Sequence, residues 1–125
     1  MVTYNESMGA ERENGEERII LAVSNSYEKK YYLNPNFDRL PENIKDEIKA
    51  MMVVCTAESG GIMILEFDED GELYFRTEAD EDDIMYDDIS AGMYIKKMQY
   101  ERRELLEALQ MFYRVFILKQ DVDIT

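Results

Sequence analysis

The sequence predicts an α+β domain in which two β-hairpins form a small antiparallel sheet and two helices pack on one face of it. Three observations lead to this fold class. Two pairs of strand-like runs flank turn-forming segments, a central stretch carries apolar residues at helical spacing, and the C-terminal third lacks proline. The predicted order is β-β-α-β-β-α, with a long C-terminal helix.

The chain of 125 residues has the length of one domain that buries its own core. We expect this domain to span residues 18–119. Residues 1–17 are rich in Glu, Asn and Gly, so we expect them to form a disordered acidic tail. Residues 120–125 are expected to form a short C-terminal tail.

The first hairpin is predicted between residues 18 and 34. An apolar run at 19–23 and the aromatic residues within 30–33 suit pleated strands, and residues 24–26 between them are turn-forming. Because a short apolar run is ambiguous, a helix through Val23 stays open as the alternative.

A first helix is predicted from about residue 41 to residue 58. Pro41 suits the first helical position, where its missing N–H costs nothing, and Gly60 and Gly61 supply a stop. Five apolar residues recur at helical steps and define one buried face: Ile44, Ile48, Met51, Met52 and Cys55. Phe37, in the preceding loop, is expected to anchor that loop in the core.

A second hairpin is predicted from strands at 62–67 and 72–77, joined through the Asp70-Gly71 turn signal. Alternation along the two strands places five apolar side chains on one buried face: Met63, Leu65, Phe67, Leu73 and Phe75. The opposite face carries Ile62, Ile64 and Tyr74, so we expect part of that face to be covered as well.

The same hairpin resembles part of a calcium-binding loop. Glu66, Asp68, Asp70 and Gly71 match the spacing of such a loop, but Thr77 stands where the closing glutamate belongs. The flanking segments are also predicted to be strands and not helices. A hairpin turn is therefore the preferred interpretation, and a metal loop is the alternative.

The C-terminal segment, from Ile89 to about Leu118, is predicted to be one helix of about 30 residues with a single apolar stripe. The stripe consists of Tyr94, Met98, Leu105, Leu109, Phe112 and Phe116. Such a helix would be about 45 Å long, which exceeds the expected diameter of the domain. Either it is kinked near the charged residues 101–104, or its end packs against another chain.

The net charge of −14 is concentrated in one stretch, because residues 66–88 contain twelve acidic residues and one basic residue, Arg76. Binding to a nucleic-acid backbone needs a basic face, so we expect no nucleic-acid partner. No apolar run is long enough to cross a membrane, and the N-terminal residues lack the pattern of a signal peptide. With a single cysteine, these features predict a cytoplasmic protein without a membrane partner.

Three interpretations of the acidic stretch stay open: a solvated surface, a divalent-metal site, and a surface that meets a basic protein. Ile84, Met85 and Tyr86 lie inside it, and they either dock into a groove of a partner or form the packed base of a loop. The candidate interaction surface combines acidic residues of this stretch with apolar residues there and in the last helix: Asp80, Glu81, Asp82, Asp83, Ile84, Tyr86, Phe112 and Phe116.

Catalysis is not expected, because the chain contains no histidine, the commonest general base and zinc ligand. Cys55 lies on the apolar face of the first predicted helix, where a thiol behaves as a small buried hydrophobe. We therefore assign no catalytic residue and no cofactor.

Three segments resemble a family of short, acidic, uncharacterised proteins from clostridial Firmicutes. They are SYEKKYYLN at 26–34, EFDEDG at 66–71 and ERRELLEAL at 101–109. The resemblance covers about residues 18–118 and implies a bacterial cytoplasmic protein. It brings no known function and no site residue.

Together these features predict a small binding protein that acts through protein–protein contacts. Its partner is expected to be a second copy of the chain, or a basic protein that meets the acidic stretch. A divalent-metal-binding protein that uses residues 66–88 is the alternative, followed by a small enzyme.

Overall fold

A computed structural model describes residues 17–119, so the predicted tails lie outside the described residues apart from Glu17. The elements follow in this order: β1 (Ile19–Asn25), β2 (Lys30–Leu33), a 3-10 turn (Pro35–Phe37), α1 (Glu42–Ser59), β3 (Ile62–Phe67), β4 (Leu73–Glu78), α2 (Asp88–Glu101), α3 (Arg103–Phe112) and a π-helical turn (Tyr113–Ile117). The predicted α+β class and element order are confirmed, except that the last helix is divided.

The four strands form one antiparallel sheet in the order β2-β1-β3-β4. Each predicted hairpin supplies two neighbouring strands, and the pairing of Val23 in β1 with Ile64 in β3 joins them. A bulge between Ile20 and Ala22 shifts the register of β1. Because of this bulge, the consecutive residues Leu21 and Ala22 are both fully buried.

The turn of the first hairpin lies later than predicted. β1 continues through Ser24 and Asn25, and the turn spans residues 26–29. The Ser24 hydroxyl is buried and lies 2.8 Å from the Thr56 hydroxyl of α1, which satisfies a polar side chain inside a strand. The turn was predicted too early in the chain because Ser24 is of a turn-forming type. Its hydrogen-bond partner Thr56, which lets it lie inside a strand, is 32 positions away in the sequence. The alternative helix through Val23 was wrong as well.

The first helix agrees with its prediction to within one residue at each end. Pro41 precedes α1 as its N-cap residue and is not the first helical residue, which corrects the prediction. Ile48, Met51, Met52 and Cys55 are at most 1% exposed, so the predicted buried face is confirmed. Ile44 is partly buried at its edge.

The core lies between the sheet and the helices, and aromatic rings fill one end of it. Phe37, in the 3-10 turn, is 1% exposed and stacks on Phe67 of β3 at 5.7 Å, which confirms its predicted anchoring role. Tyr113 stacks on Phe67 at a centroid distance of 4.1 Å. These ring contacts hold the start of the π-helical turn against the sheet.

The long C-terminal helix is broken at Arg102, in the charged centre of the segment. Arg102 has φ −111° and ψ 28°, outside the helical region, and its guanidinium donates a 2.9 Å hydrogen bond to Glu47 of α1. The break lets Met98 of α2 and Leu105 and Leu109 of α3 all reach one core. The kinked form of the prediction is therefore confirmed.

The end of the helical stripe differs from the prediction. In the π-helical turn, the Leu118 N–H donates a 2.9 Å hydrogen bond to the carbonyl of Tyr113, five residues earlier. Tyr113 lies four residues after the buried Leu109 and continues the buried stripe, because a step of four residues returns to the same helix face. Tyr113 is 3% exposed, Phe112 is partly buried, and Phe116 is 51% exposed.

The second face of the sheet carries a buried ion-pair cluster that the sequence did not predict. Glu66 is fully buried and accepts hydrogen bonds of 2.9 and 3.2 Å from the guanidinium of Arg76. Arg76 also donates a 2.8 Å bond to Glu78, and Arg18 lies 3.4 Å from Glu66. Ile64 on the same face is 2% exposed, so this face is covered at its centre, as expected.

Candidate functional site

The acidic loop, residues 79–87, connects β4 to α2 and contains six of the eight predicted interaction residues. Tyr27, in the first hairpin turn, anchors it. The Tyr27 hydroxyl donates a 2.6 Å hydrogen bond to Asp83 and accepts a 3.0 Å bond from the backbone N–H of Asp80. The loop is therefore attached to the body of the domain through the first hairpin.

A second anchor lies at the end of α1. The backbone N–H of Asp87 donates a 3.2 Å hydrogen bond to the carbonyl of Ser59. Gly61 has φ +71°, and a Cβ added there would lie 2.8 Å from the ring of Tyr86 and 2.7 Å from the carbonyl oxygen of Glu78. Only glycine lets the chain approach so closely at this backbone angle. Tyr86 therefore forms the packed base of the loop.

The apolar triplet of the loop is divided by this packing. Tyr86 is half-buried, whereas Ile84 is 91% exposed and Met85 is 83% exposed. Tyr86 therefore packs inward, as the interpretation of a packed loop base predicts, whereas the side chains of Ile84 and Met85 are exposed, and their docking into a partner stays a prediction. Asp80, Glu81 and Asp82 are exposed beside them.

Two side chains of this region have shifted pKa values, to which hydrogen bonds contribute. Burial, together with the hydrogen bond to Asp83, raises the pKa of Tyr27 to about 12, so this phenol stays protonated as a donor at neutral pH. Hydrogen bonds from the backbone N–H and the hydroxyl of Ser90 lower the pKa of Asp87. Ionised Asp87 is the N-cap of α2 and lies at the positive end of the helix dipole.

The outward face of α2, defined here by Ile89, Met93 and Tyr100, is the main feature that the sequence interpretation missed. These residues are 76%, 65% and 74% exposed, while Ala91 and Met98 on the same helix are buried. Their spacing of 4 and 7 residues is helical and was visible in the sequence. The sequence analysis predicts the stripe through Tyr94 and Met98 but does not include this second apolar face of α2.

Phe112 and Phe116 do not join the acidic loop. The loop follows Glu78, which pairs with Ile62 at the first residue of β3, whereas the ring of Phe112 lies 6.3 Å from Phe37 near the last residue of β3. Six strand residues separate these ends by about 17 Å. The ring of Phe116 is tilted by 35° against that of Phe112 at a centroid distance of 4.9 Å, and the Arg39 guanidinium lies 5.8 Å from the Phe116 ring. The predicted surface is therefore two separate patches.

The acidic residues of the second hairpin do not form a calcium loop. Asp68 accepts hydrogen bonds from the backbone N–H groups of Asp70 and Glu72 and closes a tight turn, while Glu66 pairs with Arg76. The preferred hairpin interpretation is confirmed. Within residues 17–119, no three acidic or cysteine side chains come together in a group that could hold a metal ion.

Cys55 lies in the core of the domain and has no access to solvent. Burial raises the pKa of its thiol to about 11, so the thiolate is scarce at neutral pH. The predicted role of Cys55 as a small buried hydrophobe is confirmed.

Comparison with known proteins places the chain in a family. A model described as a family of unknown function, DUF6145, matches residues 18–121. No curated protein and no solved structure matches the chain. Over residues 17–119, none of the helices combines the length and the apolar character needed to cross a bilayer. The chain belongs to the DUF6145 family, whose function is unknown.

Proposed function

We propose that this protein is a binding module that engages a basic, partly apolar segment of another protein through the acidic loop and the outward face of α2. The main observation behind this proposal is the exposure of the apolar side chains on the outward face of α2. Ile89, Met93 and Tyr100 are at least 65% exposed, and Ile84 and Met85 in the adjoining loop are more than 80% exposed. Five large apolar side chains on neighbouring segments mark a contact surface.

The charge beside this surface favours a basic partner. Residues 78–88 contain seven acidic residues and no basic residue. α2 has 14 residues and is therefore about 21 Å long. A stable interface covers about 800 Å² on each partner, more than one helix face supplies, so we expect the acidic loop to take part in the contact. A partner segment with Lys or Arg beside apolar residues complements both parts.

Self-association through the same surface is a second candidate, and the order of charges along α2 favours it. Asp87 and Asp88 stand at the start of the helix, and Lys96 and Lys97 follow about two turns later. Two antiparallel copies related by a two-fold axis would place these opposite charges together. Repulsion between two chains that each carry −14 opposes this arrangement, which is why a basic partner is the first candidate.

The proposal is binding without catalysis, in a bacterial cytoplasm. The absence of histidine from the chain and the burial of Cys55 support the first part. The resemblance to clostridial proteins and the single cysteine support the second part.

The test is affinity capture from a bacterial lysate with the wild-type chain and with an Ile89→Asp, Met93→Asp double variant. Both residues are exposed, so thermal melting should show that the variant folds as well as the wild type. Quantitative mass spectrometry should then show a stoichiometric basic partner with the wild type, reduced at least about tenfold with the variant, because apolar contacts at the centre of an interface supply most of its affinity.

Phe116→Asp is the control for added charge, since it places one negative charge, against two in the double variant, on an exposed apolar residue at the other end of the sheet. It should bind like the wild type. The proposal would be contradicted if Phe116→Asp and the double variant lost the captured partner equally, or if the double variant captured as much partner as the wild type. Light scattering that shows a dimer for the wild type and a monomer for the double variant would select self-association instead.

A further inference from the structure

A second surface of the molecule is a cleft between the first hairpin and α1, and it shares no residue with the acidic loop or α2. Its volume is about 650 Å³. Ligand pockets in proteins measure about 300–1,000 Å³, so the cleft has room for a small organic molecule. Val53 and Ala57 of α1 supply an apolar wall, and Tyr31 of β2 supplies an aromatic one.

The charge of the cleft is opposite to that of the chain. The chain has 28 acidic and 14 basic residues, yet Lys29, Lys30 and Lys49 line the cleft and none of its described lining residues is acidic. Among residues 17–119, none of these three lysines forms an ion pair. Their charge is therefore available to a bound anion.

One polar side chain that lines the cleft, Tyr31, has a buried hydroxyl without a hydrogen-bond partner among residues 17–119. Burial raises the pKa of Tyr31 to about 12, so the hydroxyl is a donor at neutral pH. An unpartnered buried donor is rare in native proteins, because leaving it unpaired costs stability. The paired hydroxyls of Ser24 and Thr56 lie in the same cleft.

The backbone at Lys29 gives an independent indication. Lys29 has φ +54°, a left-handed conformation that glycine or asparagine adopts at lower cost. A lysine at this turn position strains the backbone and places an ammonium group beside the cleft. Backbone strain that stability does not require is typical of functional positions.

We propose that the cleft binds a small organic phosphate, with its phosphate group near Lys29, Lys49 and the Tyr31 hydroxyl and its remainder along Val53 and Ala57. Lysine ammonium groups are compact point charges that suit phosphate, whereas planar carboxylates are best matched by the fork of arginine. Among residues 17–119, three lysines and no arginine line the cleft. The Lys49 ammonium, 5.9 Å from the Tyr31 ring, closes one side of it.

The test is calorimetric titration of the full chain with ATP, pyrophosphate and citrate at low salt, with thermal melting in parallel. The phosphate probes should bind saturably and raise the melting temperature, and citrate should bind more weakly. Two variants should keep or raise the melting temperature of the free protein. Lys29→Gly removes the backbone strain of the left-handed conformation in the turn, and Tyr31→Phe removes the unpartnered buried hydroxyl. Each should lower phosphate affinity roughly tenfold, because each removes a contact to a charged group.

Two double variants test the role of charge, one inside the cleft and one as a control elsewhere. Lys29→Gln with Lys49→Gln should abolish binding, while Lys96→Gln with Lys97→Gln on α2 removes the same charge elsewhere and should leave it intact. The proposal is overturned if neither phosphate probe gives saturable heat, if both double variants bind equally, or if citrate binds as tightly as the phosphates.

Discussion

Glu66 and Arg76 link the central strand β3 to the edge strand β4 on the second face of the sheet. The carboxylate of Glu66 is fully buried and accepts two hydrogen bonds from Arg76, which also pairs with Glu78. A buried ion pair contributes little net stability as a whole, but removal of one partner leaves the other charge without compensation. Glu66 is therefore a residue where a small change has a large effect.

We expect Glu66→Gln to lower the free energy of unfolding by about 3 kcal/mol, since the neutral amide leaves the buried guanidinium of Arg76 partly uncompensated. Urea unfolding followed by circular dichroism measures this as a lower midpoint. Glu69→Gln removes one negative charge from the exposed hairpin turn and should change stability by less than about 0.5 kcal/mol. Equal midpoints for the two variants would show that the cluster is not structural.

At the scale of elements, the connection between α1 and β3 also positions the acidic loop. Gly60 and Gly61 both have positive φ, but only a Cβ at Gly61 would meet neighbouring atoms, those of Glu78 and Tyr86. The end of one helix therefore determines where the loop before the next helix lies.

We expect Gly61→Ala to push Tyr86 out of its place and to destabilise the protein by about 2 kcal/mol. Hydrogen exchange of residues 79–87 should become faster in this variant. Gly60→Ala is the control for backbone strain, because its Cβ would have no neighbour within 4 Å. It should lower stability but leave exchange in the loop unchanged. Equally fast loop exchange in both variants would contradict the role of the close approach.

At the scale of the whole molecule, the net charge of −14 makes the response to salt diagnostic. Most of this charge lies in residues 66–88, and the exposed apolar face of α2 begins where that stretch ends. Salt screens both attraction to a basic partner and repulsion between two copies, so the two proposed modes of association respond in opposite directions.

We expect an increase from about 0.1 M to about 0.5 M NaCl, which shortens the Debye length from about 10 Å to about 4 Å, to weaken partner binding. Interferometry with the captured partner measures this affinity. Light scattering over the same range should show stronger self-association if copies associate at all. Partner binding that is unchanged or tighter at high salt would contradict an interface built on the acidic loop.

Local sequence patterns determined most of the secondary structure of this protein. The apolar face of α1, the strand at 62–67, the Asp68–Gly71 turn and the burial of Cys55 all followed from short-range periodicity and turn chemistry. These features depend on neighbours within a few positions, so the residues that specify them stand together in the chain. The kink near residues 101–104 was also open to prediction, because an unbroken helix is longer than the domain.

Only the tertiary structure decided where the predicted surface residues lie. The acidic loop is held by Tyr27, 53 and 56 positions away from Asp80 and Asp83, and Phe112 lies at the other end of the sheet. The Glu66–Arg76 pairs depend in the same way on the register of two strands. Long-range contacts of this kind follow from packing of the whole chain, and one sequence carries no local signal for them. The sequence therefore determined the elements, and packing decided the surfaces that they form.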